Sequence, residues 1–314
     1  MTCVRLRLEP MTERRFLAWT RETISGFVEQ QVGAGAVAAR EAREHAEREF
    51  DSLLSQGLFT RGHHVWAAYD GDAEVGYLWL GVRVRPELVE GYVYDVAVSP
   101  HLRSRGYGRA LMLAGESRAR ELGISAMLLN VFGHNTVARR LYESLGYTVS
   151  VTHLGRRLDT TVPLASYGDP AVRLEPMTER QFAAYRGRAE NHERLPIGPD
   201  ATDQLFWTSY DGDTEVGMVW LSMSTRSDGR HAFGRDLWVD ELWRHRGYAR
   251  AIMVAAEQAC RDRGVVAVDV DLDGPDHGAR SSYEQMGFTV TATRMGKDLC
   301  DPREGSPEAE DHPR

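Results

Sequence analysis

The segment Arg103-Ser104-Arg105-Gly106-Tyr107-Gly108-Arg109 is the sharpest chemistry-bearing feature of the chain. It follows an apolar stretch that ends at Val98 and opens a run of helical periodicity. The N–H groups of a helix's first turn have no intrahelical partner and carry partial positive charge, so such a turn binds phosphate. Gly106 and Gly108 let the backbone approach an anion with no Cβ in the way. Arg103, Arg105 and Arg109 add charge and donors at the same point. Arg244-His245-Arg246-Gly247-Tyr248-Ala249-Arg250 repeats the design, with alanine for the second glycine. Taken alone, either segment also reads as a basic turn that only caps a helix. Other constellations are weaker. His63-His64 has no second ligand pair at useful spacing, so no metal site is expected. Cys3, Cys260 and Cys300 are too few and scattered for a disulfide framework and read as reduced thiols. Ser104 has no His/Asp arrangement that marks a triad.

The two loops belong to a longer internal repeat. "RLEPMTER" occurs at Arg7 and at Arg173, an offset of 166. "YDGDAEVGYLWL" at Tyr69 returns as "YDGDTEVGMVWL" at Tyr210, and "RRLYESLGYTV" at Arg139 as "RSSYEQMGFTV" at Arg280, both at an offset of 141. The chain therefore holds two copies of one domain, the second shorter by 25 residues between its first strand and its first hairpin. The expected layout is a first domain over 1–158, a linker over 159–171, a second domain over 172–299 and a disordered tail over 300–314. The linker carries a Tyr-Gly-Asp-Pro turn signal, and the tail is acidic and proline-bearing.

Within one copy, Val4–Leu8 alternates as a strand, and Thr12 caps a helix whose apolar face includes Phe16, Trp19, Ile24, Phe27 and Val28. A second helix is expected over 36–54. Strands at 64–69 and 74–84 flank an Asp-Gly hairpin turn, and another strand spans 92–98. A helix over 107–122 ends at Gly123, a strand covers 126–132, Asn135 opens a helix to Leu145, and 147–158 is terminal strand. The second copy follows this order, but the stretch from Arg186 to Gln204 leaves no room for two full helices. This is an α/β domain, a mixed sheet flanked by helices.

The composition fits two such domains in 314 residues, with 42% hydrophobic and 27% charged residues. No apolar run reaches the ~20 residues of a membrane span, and the N-terminus lacks the apolar core of a secretory signal, so a cytoplasmic protein is expected. A net charge of −8 argues against a nucleic-acid footprint over the whole chain. Lys297 is the single lysine among 38 basic residues.

The segment "LLNVFGHNTVARRLYESLGY", downstream of the loop, completes a pattern. The chain resembles the GNAT superfamily of acyl-CoA-dependent N-acyltransferases, in which tandem two-domain members occur. The family loop, Arg/Gln-x-x-Gly-x-Gly/Ala, is matched by Arg103, Gly106 and Gly108, and by Arg244, Gly247 and Ala249. Its later pattern is matched by Asn135, Ala138, Tyr142, Gly146 and Tyr147. The second copy has Asp276, Ala279, Tyr283, Gly287 and Phe288 there. The resemblance covers nearly the whole chain apart from linker and tail. It implies two tandem folds, each a mixed, mostly antiparallel sheet flanked by helices, using acetyl-CoA or another acyl-CoA as co-substrate and no metal. It implies that the loop amides hold the CoA pyrophosphate and that the preceding strand splays from its neighbour. Pantetheine would then pair with backbone near Ala97 and Val98, with Val239 equivalent in the second copy, and a free amide there would polarise the thioester carbonyl. Asn135 would position pantetheine. Tyr142, and Tyr283 in the second copy, would protonate the departing thiolate; a phenol's ordinary pKa of ~10 lies above that of a thiol.

The acyl acceptor must lose a proton. Asp95, three residues before Val98, faces the opposite side of a regular strand, and Asp236 is its equivalent. Such a carboxylate binds an ammonium group or acts as base, or is an ordinary strand-end ion pair. Many relatives carry a glutamate base where this chain has Asn130; the second copy has Asp271 there, flanked on the same face by Asp269 and Asp273. The first copy keeps both glycines, Asn135 and both helices, so it is the expected main catalytic half, with the second retaining its loop and Tyr283. The leading reading is an N-acyltransferase, by preference an acetyltransferase, acting on a primary amine of a small metabolite, an antibiotic or a peptide. A non-catalytic CoA-binding sensor or scaffold, and a protein or peptide N-acyltransferase using longer or carrier-bound acyl donors, stay open. The expected assembly is a monomer with an internal pseudo-dimer, or a homodimer.

Overall fold

The computed structural model describes residues 5–33, 39–85, 88–158, 170–187, 203–226, 228–274 and 277–299. Residues 159–169 of the expected linker, the stretch 188–202 that follows the second copy's first helix, Cys3, Asp276, Cys300 and the expected tail lie outside them. No described helix is long and apolar enough to cross a membrane.

The chain divides into two compact units, and the division differs from the sequence boundary near 158 and 172. The first unit is Met1–Ser150 together with the segment from Thr293, and the second is Val151–Ala292. Each unit thus takes strand residues from the other copy's last strand.

In the first unit, β1 (Arg7–Pro10) is followed by α1 (Glu13–Gly33), α2 (Ala39–Leu53), β2 (His63–Asp70), β3 (Ala73–Val84) and β4 (Val89–Val98). Then come α3 (Tyr107–Glu121), β5 (Ala126–Phe132), α4 (Thr136–Ser144) and the start of β6 (Thr148–Arg157). β1 to β4 pair antiparallel in sequence order, and β4 pairs β5 in parallel. The period-2 alternation of β3 separates two cores. Leu78 and Leu80 face Leu111, Met112 and Ala119 of α3. Trp79 faces Phe16 and Trp19 of α1. Thr12 accepts from the Arg15 amide, as expected of an N-cap.

The second unit repeats the plan with β7 (Arg173–Pro176), α5 (Glu179–Arg186), β8 (Gln204–Asp211), β9 (Thr214–Arg226) and β10 (Gly229–Val239). It continues with α6 (Tyr248–Arg261), β11 (Val265–Asp273), α7 (His277–Gln285) and the start of β12 (Thr289–Asp298). Thr178 and Gln181 form a reciprocal capping box at α5. Cys260 of α6 is fully buried, and burial pushes its thiol up to about 11, so it is inert at neutral pH.

The exchange of last strands shows in two equivalent buried ion pairs. In the first unit Glu116 on α3, 2% exposed, meets Lys297 of β12 at 2.7 Å. In the second, Glu257 on α6 meets Arg156 of β6 at 3.5 Å, both almost fully buried. Glu116 and Glu257 are equivalent at the 141 offset, and so are Arg156 and Lys297. Each helix glutamate therefore takes its cation from the other copy's terminal strand. β6 closes the second unit's sheet by pairing antiparallel with β11, from Ala267↔Arg157 to Asp273↔Val151.

Candidate active site

The site begins at a fork between two strands. β4 pairs with β3 as far as Val98, but with β5 only over Glu90–Val93. The register shifts by one residue at Tyr94, a bulge that bends the strand at the branch point. The second unit does the same: β10 leaves β11 after Gly234, with its bulge at Arg235. Past the fork lie Ala97 and Val98, and Val239, where pantetheine and the thioester are expected, together with Asp95 and Asp236, the expected acceptor-side carboxylates. Across from them β3 and β9 carry glycine, because a Cβ at Gly76 or Gly217 would collide with the Ala97 or Trp238 carbonyl oxygen.

At the mouth of each fork sits the phosphate-type loop. Ser104 and Gly106 both adopt left-handed backbone, φ 61° and 87°, and α3 starts at Tyr107 without a side-chain cap. His245 and Gly247 repeat this at 59° and 85° before α6. A Cβ at Gly106 would meet nothing within 4 Å, so glycine is required there by backbone conformation. The first-turn amides are left open for an anion. The arginines divide their work. Arg103 Nε donates to the Val98 carbonyl at 3.3 Å and Arg244 Nε to that of Val239 at 3.1 Å, tying the loop to the splayed strand. Arg109 donates to Ser144 at the end of α4, and Arg105 is solvent-exposed. Arg246 lies over the Trp243 ring, and Arg250 lines a cavity described below. Tyr107 and Tyr248 turn away from the expected anion site and donate to Asp70 and Asp211 of the hairpin turns, at 2.7 and 2.5 Å. Ala249 is accommodated by a paired change. A Cβ on Gly108 would sit 3.2 Å from Leu141, and the residue equivalent to Leu141 in the second copy is the smaller Ser282.

Tyr142 on α4 is buried, and desolvation, aided by the charge of Asp95, pushes its phenol up to about 12. Tyr283 on α7 is raised for the same reasons, burial first and then Asp236. Both stay protonated at neutral pH, as a proton donor must. Burial raises the Asp95 carboxyl, opposed by the Tyr77 hydroxyl that donates to it at 2.9 Å. Asp236 accepts from Tyr185 at 2.7 Å. These two phenols come from different elements. Tyr77 lies on β3, where the second copy has Met218; Tyr185 lies on α5, where the first copy has Trp19. The tyrosine–aspartate bond is thus kept while its donor has moved. Asp271 pairs with His153 of β6 at 2.5 Å. Asp269, by contrast, is tied to Arg226 at 2.9 Å. Asn135 serves as the N-cap of α4, its Oδ1 accepting from the Ala138 amide.

The second unit brings these groups around one cavity of about 620 Å³, lined by Asp236, Asp271, Tyr283, Arg244, Tyr248 and Ala249 among others. In the first unit, the face beside Asp95 is filled by aromatic rings. Trp19, with no exposed surface, packs within 6 Å of Phe50, Tyr77 and Trp79. Tyr77, Tyr185 and His153 were missed by the sequence reading. Aligning the copies residue by residue offers the Trp19/Tyr185 and Tyr77/Met218 exchanges as a signal. His153 offers none, because its partner depends on which sheet β6 joins.

A forked parallel strand pair, an uncapped helix N-terminus at its mouth and a buried tyrosine on the next helix define an acyltransferase domain, present here twice. The chain belongs to the acetyltransferase (GNAT) family, whose profile matches residues 33–147 and 173–288. It is 30% identical over 154 residues to the uncharacterized N-acetyltransferase YycN of Bacillus subtilis, covering 49% of this chain and 99% of that protein. It is 46% identical over 77 residues to the mycothiol acetyltransferase of Thermobispora bispora, a match limited to 24% of this chain and 26% of the relative. A GCN5-related N-acetyltransferase from Sphaerobacter thermophilus shares the fold along the chain, with a TM-score of 0.52 at 20% identity over 95% of this chain and 96% of that one.

Proposed function

We propose that the chain transfers an acyl group, by preference acetyl, from acyl-CoA to the primary amine of a small metabolite, antibiotic or peptide, and that transfer runs in the second unit. The observation that carries this reading is the cavity that joins the open loop amides, both fork carboxylates and Tyr283. This departs from the sequence expectation, which favoured the first copy for its second glycine, Asn135 and longer helices. Those helices supply the rings that fill the space beside Asp95.

The amides of the loop from Arg244 to Arg250 would hold the pyrophosphate, and the splayed edge of β10 near Val239 the pantetheine. Asp236 and Asp271 would bind the acceptor ammonium and take its proton. The amine nitrogen then bonds to the thioester carbon, the C–S bond breaks, and Tyr283 gives its proton to the departing sulfur. Asp95, Tyr142 and the loop from Arg103 to Arg109 lay out the same chemistry in the first unit, which would bind acyl-CoA with little room for an acceptor. The test is thiol release from acetyl-CoA with a panel of primary amines. Tyr283→Phe should abolish turnover and Tyr142→Phe should spare it; the reverse result refutes the assignment. Tight acetyl-CoA binding with no thiol release from any amine favours the sensor reading.

A further inference from the structure

Asp271 reaches the cavity from the β11 side of the fork, yet the group that holds it is not encoded in the second copy. Its cross-strand partner in the antiparallel β6–β11 register is His153. His153 Nδ1 lies 2.5 Å from Asp271 Oδ1. A carboxylate only accepts, so Nδ1 carries the hydrogen. The other ring nitrogen, Nε2, is buried and meets no hydrogen-bond partner among the described residues. The imidazole therefore spends its one resolved polar contact on Asp271. The His153 side chain is 21% exposed and that of Asp271 35%, and Asp271 is the member of the pair that lines the cavity. At the equivalent positions the other pair of strands carries Asn130 and Arg294, which cannot form this carboxylate–imidazole contact.

We infer that His153, brought into the second unit by the last strand of the first copy, is the positioning residue that fixes the Asp271 carboxylate toward the acceptor amine. An aspartate past the fork, where β11 no longer pairs with β10, has several rotamers open to it, and a charge-assisted bond to an imidazole held in the sheet selects one. The acceptor side of the second unit is thereby built from both copies, while its loop and Tyr283 come from the second alone. This inference rests on the reading that transfer runs in the second unit.

The experiment uses the full chain, with thiol release from acetyl-CoA driven by putrescine, glucosamine or a free-amino tripeptide, whichever is fastest. His153→Leu removes the donor and keeps the bulk; His153→Asn keeps a donor near the Nδ1 position. His153→Leu is expected to raise the amine KM about tenfold or more, the effect of losing one hydrogen bond to a charged group. The acetyl-CoA KM should stay within about twofold, and His153→Asn should return the amine KM to within about threefold of the parent. A His153→Leu chain that matches the parent, an Asn variant as damaged as the Leu variant, or an acetyl-CoA KM that rises in step with that of the amine overturns the proposal. If His153→Leu fails to melt cooperatively, His153→Gln, whose donor lies at the Nε2 position, takes its place with the same expected loss. A chain that binds acetyl-CoA but releases no thiol, or one whose turnover survives Tyr283→Phe, refutes the underlying reading before any His153 variant is made, and the proposal with it.

Discussion

Removing Lys297 tests the strand exchange on which both units depend. Its ammonium sits 2.7 Å from Glu116, whose side chain is 2% exposed. Lys297→Met leaves that carboxylate buried and nearly unpaired, a loss of about 3–5 kcal/mol for a buried pair broken from one side. Arg120 stays within 3.7 Å of the same oxygen, but its side chain is 49% exposed, so the lower end, about 3 kcal/mol, applies. For a unit of this size that is a fall in Tm of roughly 6–12 °C. Calorimetry on the full chain should show one transition move by that amount. Adding Glu116→Leu should recover most of the loss, because the uncompensated charge is then gone. An unchanged Tm for Lys297→Met, or a double variant less stable than the single one, would refute the buried exchanged pair. Arg156→Met should cost less. Glu257, pushed up to about 7 by burial, escapes by taking a proton, and Arg261 remains 3.5 Å away.

The Glu257 carboxyl also predicts a pH dependence. Its folded pKa of about 7 lies above the ordinary 4.5, so the folded state holds the extra proton between those values, and stability should fall as pH rises from about 4.5 to 7. Glu257→Gln should flatten that window in denaturant melts; an unchanged slope refutes the assignment. Tyr77→Phe removes the donor that opposes burial at Asp95, so this carboxyl should rise further, and carbon NMR of the labelled aspartate reads the shift. Gly106→Val and Gly247→Val force a β-branched residue to φ near +87° and +85°, at about 1–3 kcal/mol each. Calorimetric titration with acetyl-CoA should find weaker binding at the altered unit, with the other unit's site unchanged.

Much of the fold was legible because the repeat states each signal twice. β5 lies where its alternation predicts, 126–132, and α3 begins at the tyrosine that follows Gly106. The acid–base candidates were legible for the same reason: Asp95 and Asp236, and Tyr142 and Tyr283, recur at one offset. The strand exchange was not. "TVSVTHLGRR" of β6 and "TVTATRMGKD" of β12 share alternation, length and a basic residue at the position that meets the helix glutamate. Either strand satisfies either sheet locally, so no pattern within the strand says which one it joins. The cavity was legible only in part: the 25-residue loss in the second copy shortens the helices on the acceptor side, but no pattern gave the residues that line it.

Three paired changes between the copies separate what each unit must keep from what it can alter. Gly108 beside Leu141 becomes Ala249 with the smaller Ser282 at the equivalent position, so the added methyl is matched by a smaller side chain. Lys297 with Glu116 becomes Arg156 with Glu257, and the buried charge stays answered. Trp19 with Tyr77 becomes Tyr185 with Met218, and the fork aspartate keeps its phenol. The first two are explained by packing and by the cost of an unpaired buried charge. The third is different. An apolar residue at the aspartate position would have needed neither phenol, and the strand already supplies apolar neighbours on that face. Keeping the carboxylate through a change of donor points to a use for it beyond stability. In the second unit that carboxylate lines the cavity it shares with Tyr283. Asp236→Asn should therefore lower turnover far more than it lowers Tm, and a loss of stability without a loss of turnover would sink this argument.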